Sequence, residues 1–488
     1  MKIKFLFGLS LVLAVFGSSA SAKNLAGSKP NIIIVITDDQ GMGDLSCMGN
    51  TLVKTPHIDK FYEGATRLTD FQVSPTCAPT RAALMSGRAP FKNGVTHTIL
   101  QRERMALDTY TFPQALQSAG YTTGLFGKWH LGDEPEYLPQ SRGFDEVLMH
   151  GAGGIGQEKY GDFPANSENT YFDNVLLHND TVVKTKGFCT DIFFDAGLSW
   201  IKQQHEAKNP YFAYIALNAP HGPFIAPEKY KKRFLELGCS KDAAGRLGMI
   251  ENIDDNFGRM MSKLEEWNAL ENTIVIFMTD NGAVGKGSTK EIPYFNAGLR
   301  GGKNSPFEGG THVPFFIQWK GKLPQGVDIQ ALTAHLDIYP TFVELAGAEL
   351  PTKMQKLEGR SLLPLFENPD TEWADRELFI HCGRWPEGKR EDFKYKKCAV
   401  RTQQWRLDNN KELFDISKDP GETNNVAAEF PEVVDRLRKS YDQWWESTKP
   451  LMINEGLPMI KPEDQPFKHR YDKQLKESGI PEWAPTPF

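Results

Sequence analysis

Three short apolar runs of this chain each end on residues that could do chemistry. Asn31-Ile32-Ile33-Ile34-Val35-Ile36-Thr37 leads into Asp38-Asp39, and Asn272-Thr273-Ile274-Val275-Ile276-Phe277-Met278-Thr279 leads into Asp280-Asn281-Gly282. Tyr211-Phe212-Ala213-Tyr214-Ile215-Ala216-Leu217 leads into Asn218-Ala219-Pro220-His221. Asp38, Asp39, Asp280 and Asn281 offer hard oxygen ligands without sulfur or imidazole, a donor set that suits Ca2+ or Mg2+ and disfavours zinc. An Asp pair after a strand is by itself an ordinary turn. A second acidic strand end at Asp280 makes a cation site the better reading. Elsewhere Cys77 sits in Ser74-Pro75-Thr76-Cys77-Ala78-Pro79-Thr80-Arg81. A lone cysteine is most often a small buried hydrophobe, so the surrounding string must carry any inference.

These runs are rich in β-branched residues and show no alternation, the pattern of central strands buried on both faces. Helical patterns lie between them, over Thr111 to Ala119 (ended by Gly120), Asp191 to Gln204, and Ile250 to Trp267. Strands alternating with helices imply an α/β fold with a large, mostly parallel sheet sandwiched by helices. Ligands of such sheets bind at the carboxyl ends of the strands, where all three runs place their polar residues. After about Leu365 the texture changes. Short β-like runs with Trp385, Trp405 and many charges read as a smaller antiparallel sheet, and the tail from Pro450 as a wrap over the surface. The expected organisation is a leader over 1–22, a catalytic domain over 23–370 and a C-terminal subdomain with its tail over 371–488.

The 488 residues, 40% hydrophobic and 24% charged, have the composition of an ordinary globular protein. A net charge of -6 argues against a broad nucleic-acid surface. Lys2 and Lys4 precede an apolar run from Phe5 to Phe16, followed by Ala20-Ser21-Ala22. That is the pattern of a secretory signal peptide cut after Ala22. The run falls short of the roughly 20 residues needed to span a bilayer, so no stable membrane insertion is expected and the mature chain should be periplasmic or secreted. Six cysteines are too few for a disulfide scaffold; Cys382 and Cys398 are the expected bridge.

The string Cys77-x-Pro79-Thr80-Arg81 followed by Ala82-Ala83-Leu84-Met85-Ser86-Gly87 resembles the formylglycine motif of the type I sulfatases, within the alkaline-phosphatase-like superfamily. Thr80 stands where most members carry Ser. The resemblance continues in the family's order. Asp38-Asp39-Gln40-Gly41 resembles its first metal segment, and Gly127-Lys128-Trp129-His130-Leu131-Gly132 its second motif. Ala219-Pro220-His221 resembles the active-site His segment, and Thr279-Asp280-Asn281-Gly282 the second metal segment. Arg300-Gly301-Gly302-Lys303 with Glu308-Gly309-Gly310 resembles the active-site Lys segment, and Leu413-Phe414-Asp415 with Asp419-Pro420-Gly421-Glu422 the C-terminal turn.

The resemblance implies a calcium-dependent sulfuric ester hydrolase. Asp38, Asp39, Asp280 and Asn281, with an oxygen from modified residue 77 and one from sulfate, approach the six or more ligands that Ca2+ takes; Mg2+ would want fewer protein ligands. It implies oxidation of Cys77 to formylglycine by a formylglycine-generating or anaerobic sulfatase-maturating enzyme. One hydroxyl of the hydrated aldehyde attacks sulfur, and the other expels sulfate afterwards. Arg81 would hold the nucleophile and metal geometry, Lys128 would grip sulfate, and His130 would hydrogen-bond residue 77. His221 or Lys303 would protonate the leaving alcohol. The implied partner is a sulfated oligo- or polysaccharide.

Two other readings compete. A phosphodiesterase or phosphonate monoester hydrolase of the same superfamily would share the fold, but a zinc phosphatase should carry several His ligands. A non-catalytic glycan-binding relative should lack Cys77, Lys128 or a metal ligand. His97, Arg102 and Arg104 follow the nucleophile segment as candidate sugar or anion contacts, as do Trp385, Trp405 and the segment from Gly151 to Phe172.

Overall fold

The computed structural model describes residues 24–164, 170–285, 287–289 and 292–488. The expected leader lies outside them. Its strands are β1 (Asn31–Thr37), β2 (Thr66–Leu68), β3 (Phe71–Gln72), β4 (Thr122–Lys128), β5 (Glu146–His150), β6 (Val175–His178), β7 (Thr181–Lys184) and β8 (Tyr211–Ala216). They continue with β9 (Thr273–Thr279), β10 (Phe315–Trp319), β11 (Val327–Ile329), β12 (Thr333–Ala334), β13 (Leu378–His381), β14 (Cys398–Arg401), β15 (Trp405–Asp408) and β16 (Glu412–Asp415). Ten form one sheet in the order β11-β2-β10-β9-β1-β8-β4-β5-β6-β7. The block β9-β1-β8-β4-β5 is parallel, and β10 and β6 flank it antiparallel.

The absence of alternation has its explanation in this sheet. In β1, Ile32, Ile34 and Ile36 enter one apolar core, while Ile33 and Val35 enter the other. All five are fully buried, and each contributes roughly 1.5–3 kcal/mol by leaving water. Strands β8 and β9 divide their side chains between the same two cores. Helices Cys189–Glu206 and Lys241–Glu266 cover one face; Cys77–Ser86, Phe112–Ser118 and Ile338–Ala346 cover the other. Thr111 caps the second of these through a reciprocal box with Gln114.

Strands β13 to β16 form a separate antiparallel sheet, packed with helix Pro431–Thr448 around Trp385, Leu413, Tyr441 and Trp445. The tail returns to the far edge of the large sheet, where Gln474 bonds Val182 and Glu482 bridges Lys184. The expected Cys382–Cys398 disulfide does not form, and both thiols are free. His381 stands opposite Cys398 in the ladder, so alternation sends the Cys382 side chain to the other face. No described helix is long and apolar enough to cross a membrane.

Candidate active site

Four adjacent strands, β9, β1, β8 and β4, run parallel and deliver their following residues to one end of the sheet. β1 and β9 are in register through Thr37 and Thr279, so Asp38-Asp39 and Asp280-Asn281 lie side by side. Asp39 N donates to Asp280 Oδ1 (3.2 Å), and Asn281 Nδ2 donates to Asp39 Oδ1 (2.9 Å). Asp39 and His130 both sit just past a strand end with positive φ (64° and 63°). Such non-glycine conformations cost roughly 1 kcal/mol or more and are held only where the surroundings fix them.

Cys77 opens helix Cys77–Ser86, whose ten residues are all buried. Its sulfur and single oxygens of Asp38 and Asp280 lie within 4.8 Å of one another. From the next turn of that helix, Arg81 donates Nε and Nη2 to Asp280 Oδ2 (3.1 and 2.8 Å) and Nη1 to the Lys128 carbonyl (3.1 Å). Thr80 Oγ1 donates to Ser74 O (3.1 Å), so the hydroxyl has a structural use and its methyl is accommodated in the buried interior. Lys128 Nζ reaches Asp38 Oδ2, and Lys303 Nζ reaches Asp39 Oδ2, each at 2.7 Å.

Lys303 comes from a loop that must press close to the β9 end. A methyl group on Gly282 would stand 1.8 Å from Gly309 O, so only glycine fits there. The small sheet clamps this loop. Glu308 Oε1 accepts from Arg401 Nε (2.8 Å) and Arg406 Nη1 (2.7 Å), and Glu308 N donates to Glu422 Oε2 (2.9 Å). This contact gives Glu422 of the C-terminal turn its part in the fold.

Burial dominates the electrostatics. It pushes Asp38 up to about 7 against the pull of Lys128, and Asp280, with help from Asp38, to about 6. Burial would raise Asp39 as well, but Lys303 and His221 hold it below the usual range. Burial lowers His130 and His221 to about 4, so both rings are neutral at neutral pH. His221 Nδ1 donates to Gly222 O (2.6 Å), leaving Nε2 unprotonated and 3.8 Å from Asp39 Oδ2. His130 directs Nε2 at Thr98 O (3.0 Å) and Glu103 Oε2 (3.2 Å), while its buried Nδ1 has no partner among the described residues.

The donor set fits a hard divalent cation. Among the described residues, Asp38 Oδ1 and Asn281 Oδ1 are buried without a hydrogen-bond partner, beside the carboxylate of Asp280. The thiol is the misfit, since sulfur is a poor ligand for such an ion and an oxygen at position 77 would complete the set.

The structure therefore brings Asp38, Asp39, Cys77, Arg81, Lys128, His221, Asp280, Asn281 and Lys303 into one linked cluster, with His130 two residues beyond the β4 end. It separates others from that role. Arg102 pairs with Glu455 (2.9 Å) and Arg104 with Glu134. Trp385 is buried in the small core, and Trp405 is half-buried against Phe430. The stretch Gly153-Gly154 does line the site, because a methyl group at Gly153 would stand 2.6 Å from His130 Nε2. Sequence reasoning singled out Arg102 and Arg104 but not Glu103 between them, which is buried against His130; two flanking arginines offered no sign of that burial.

Comparison with known proteins agrees with this geometry. Residues 30–348 match the sulfatase family model, and residues 302–446 match that of the N-sulphoglucosamine sulphohydrolase C-terminal region. The chain is 30% identical over 412 residues to N-acetylgalactosamine-6-sulfatase of Canis lupus familiaris, covering 77% of this chain and 72% of that one. It is 30% identical over 492 residues to arylsulfatase A of Homo sapiens, covering 88% and 89%. The crystal structure of Ps i-CgsB in complex with k-i-k-neocarrahexaose is similar with a TM-score of 0.75 and 27% identity, over 92% of this chain and 98% of that one. With this fold, this cluster and these relatives, the chain belongs to the sulfatase family and is a sulfuric ester hydrolase.

Proposed function

We propose that the protein removes sulfate from a sulfated glycan, with formylglycine made from Cys77 as nucleophile and one Ca2+ held by Asp38, Asp39, Asp280, Asn281 and residue 77. The observation that carries this reading is the oxygen-rich cluster around Cys77 with buried, unpartnered Asp38 Oδ1 and Asn281 Oδ1. The N-acetylgalactosamine-6-sulfatase and neocarrahexaose-bound relatives support a glycan as substrate.

Bound there, the cation would neutralise sulfate oxygens and favour loss of a proton at residue 77. Hydrated formylglycine supplies two hydroxyls on one carbon, one to attack and one to release sulfate. The protein's own groups do the rest. Arg81 fixes Asp280 and the Lys128 backbone, holding the helix that carries residue 77 to the strand ends. Lys128 and Lys303 are protonated, since their carboxylate partners raise both against burial, and their ammonium groups suit an anionic ester. His130 offers the unpartnered Nδ1 as acceptor for a proton from residue 77, oriented by Glu103. Lys303 holds a proton before substrate arrives, whereas neutral His221 becomes a donor only when an anion raises its pKa.

Maturation by a formylglycine-generating or anaerobic sulfatase-maturating enzyme is part of this reading, as is export with a periplasmic or secreted location. The test is turnover of an aryl sulfate against the matching aryl phosphate, followed by sulfate release from defined sulfated oligosaccharides. Faster phosphate cleavage, or no sulfate from any oligosaccharide, would overturn it.

A further inference from the structure

Every other arginine of the chain donates a hydrogen bond or ion pair within the fold. Arg384 alone has no side-chain partner among the described residues, although it is half-buried. Its backbone is fixed. Arg384 has φ +60°, and its N donates to Thr96 O (2.9 Å). A methyl group on the preceding Gly383 would stand 2.1 Å from the same carbonyl, so this turn is pressed onto the Thr96-His97-Thr98 segment. That segment reaches the reaction centre directly, because Thr98 O accepts from His130 Nε2 (3.0 Å).

His97 supplies a second donor. Thr98 N donates to His97 Nδ1 (2.8 Å), so the neutral ring carries its hydrogen on Nε2, which has no partner among the described residues. Arg384, Arg102 and His130 are all close enough to act electrostatically on this ring, and burial together with them keeps it neutral. Two carboxylates lie near these donors; Glu387 acts on Arg102 from a distance and makes no ion pair with Arg384 among the described residues. Glu455 is taken by Arg102 (2.9 Å), Thr96 Oγ1 and Trp385 Nε1 (2.5 Å). A cation and a hydrogen-bond donor are thus left without acceptors beside His130.

We infer that Arg384 and the Nε2–H of His97 form a second anion subsite beside the reaction centre, which takes a further sulfate or carboxylate carried by the sugar substrate. This rests on the glycan reading above. A guanidinium binds either group through paired, charge-assisted hydrogen bonds. The subsite would select doubly anionic substrates without taking part in sulfate transfer.

The experiment measures kcat and KM of the matured holoenzyme on three probes: N-acetylgalactosamine monosulfate, the disulfate, and a monosulfated disaccharide of N-acetylgalactosamine with a uronate. The wild type should prefer one of the latter two by about 10- to 100-fold in kcat/KM, mostly through KM. Which one it prefers tells a second sulfate from a carboxylate. Arg384→Asn, which suits the left-handed backbone, should lose most of that preference with an unchanged thermal midpoint; Arg384→Lys should retain part of it. The preference should also weaken as salt is raised. A wild type without preference, or a preference that survives Arg384→Asn, would overturn the subsite alone. A wild type that cleaves an aryl sulfate but none of the three sugars would overturn the glycan reading and the subsite together.

Discussion

Two clusters of buried charge lie a few residues apart along the Lys303–Glu308 loop and are satisfied to different degrees. In the clamp, Glu308 accepts from Arg401, Arg406 and Gln72, and pairs with His312 (3.0 Å). Arg401 also holds Asp70 (2.8 Å), and Arg406 reaches Thr311 Oγ1 (3.2 Å). Burial would raise Glu308, yet Arg401 and Arg406 hold it well below the usual range. Arg406 also pairs with Asp408 (3.2 Å) and Glu422 (3.3 Å), and burial raises the Asp408 carboxyl well above the usual range. In the strand-end cluster three carboxylates face Arg81, Lys128 and Lys303, so the formal charges cancel. There, however, the oxygens without a hydrogen-bond partner among the described residues, Asp38 Oδ1 and Asn281 Oδ1, lie in the cluster around Cys77, with Asp38 and Asp280 raised. The clamp's two, Asp408 Oδ2 and Glu422 Oε1, belong to carboxyls paired with Arg406. Open oxygens of carboxyls held by a guanidinium fix structure, and open oxygens gathered around the nucleophile position wait for a ligand.

The largest contrast is expected between Cys77→Ser and Glu308→Gln. Cys77→Ser leaves one hydroxyl at that position and should lower kcat by roughly 1000-fold or more, with an unchanged denaturation midpoint. Glu308→Gln leaves two buried guanidiniums short of a charge and should cost about 3–5 kcal/mol in urea unfolding. If the stability loss followed Cys77→Ser and not Glu308→Gln, the division of labour would be wrong.

Next in size is the response to calcium. Chelation should lower the thermal midpoint, and saturating calcium at about 100 times its Kd should restore about 2.7 kcal/mol; Asp38→Asn should abolish this response while Glu308→Gln preserves it. The pH dependence sharpens the same point. Asp38 and Asp280, raised to about 7 and 6, must release protons before they can ligate. Calcium affinity, measured by titration calorimetry, should therefore be full above about pH 7.5 and fall with acidification, by up to about tenfold per pH unit for each proton displaced. Glu308 has the opposite sign: depressed below 4.5, it stabilises the fold above that value and loses this only as pH falls through its still lower folded pKa. An affinity for calcium that is flat from pH 8 to 5.5 would contradict the raised carboxylates.

The smallest effect is expected for Thr80→Ser, which keeps the hydroxyl that bonds Ser74 O. It should change unfolding free energy by less than about 1 kcal/mol, and leave the fraction of converted Cys77 unchanged by peptide mass analysis.

The strand-end cluster was legible in the sequence because Asp38, Asp39, His221, Asp280 and Asn281 follow strands whose apolar runs are continuous, while Cys77, Arg81, Lys128 and Lys303 stand in motif strings. β1 has the very bounds of its apolar run, and β8 and β9 fall within one residue of theirs. The clamp was not legible, because Asp70, Arg401 and Arg406 come from distant segments and each alone looks like a surface charge, while Glu308 stood out only as part of the Lys303 segment. Helix Lys241–Glu266 starts nine residues before the expected Ile250, since Gly245 and Gly248 hide its first turns; Gly245 is there to let Phe224 O approach. Trp385 and Trp405 were legible only as aromatics. Which faces the core depended on helix Pro431–Thr448 packing over the small sheet.

The central claim is that position 77 presents oxygen, not sulfur, to the cation cluster. Mass spectrometry of the peptide spanning Ser74–Arg88, after production with a maturating enzyme, tests it most directly. The account predicts the aldehyde or its hydrate at residue 77, in step with sulfatase activity. An active enzyme whose peptide carries only the unmodified thiol would contradict it.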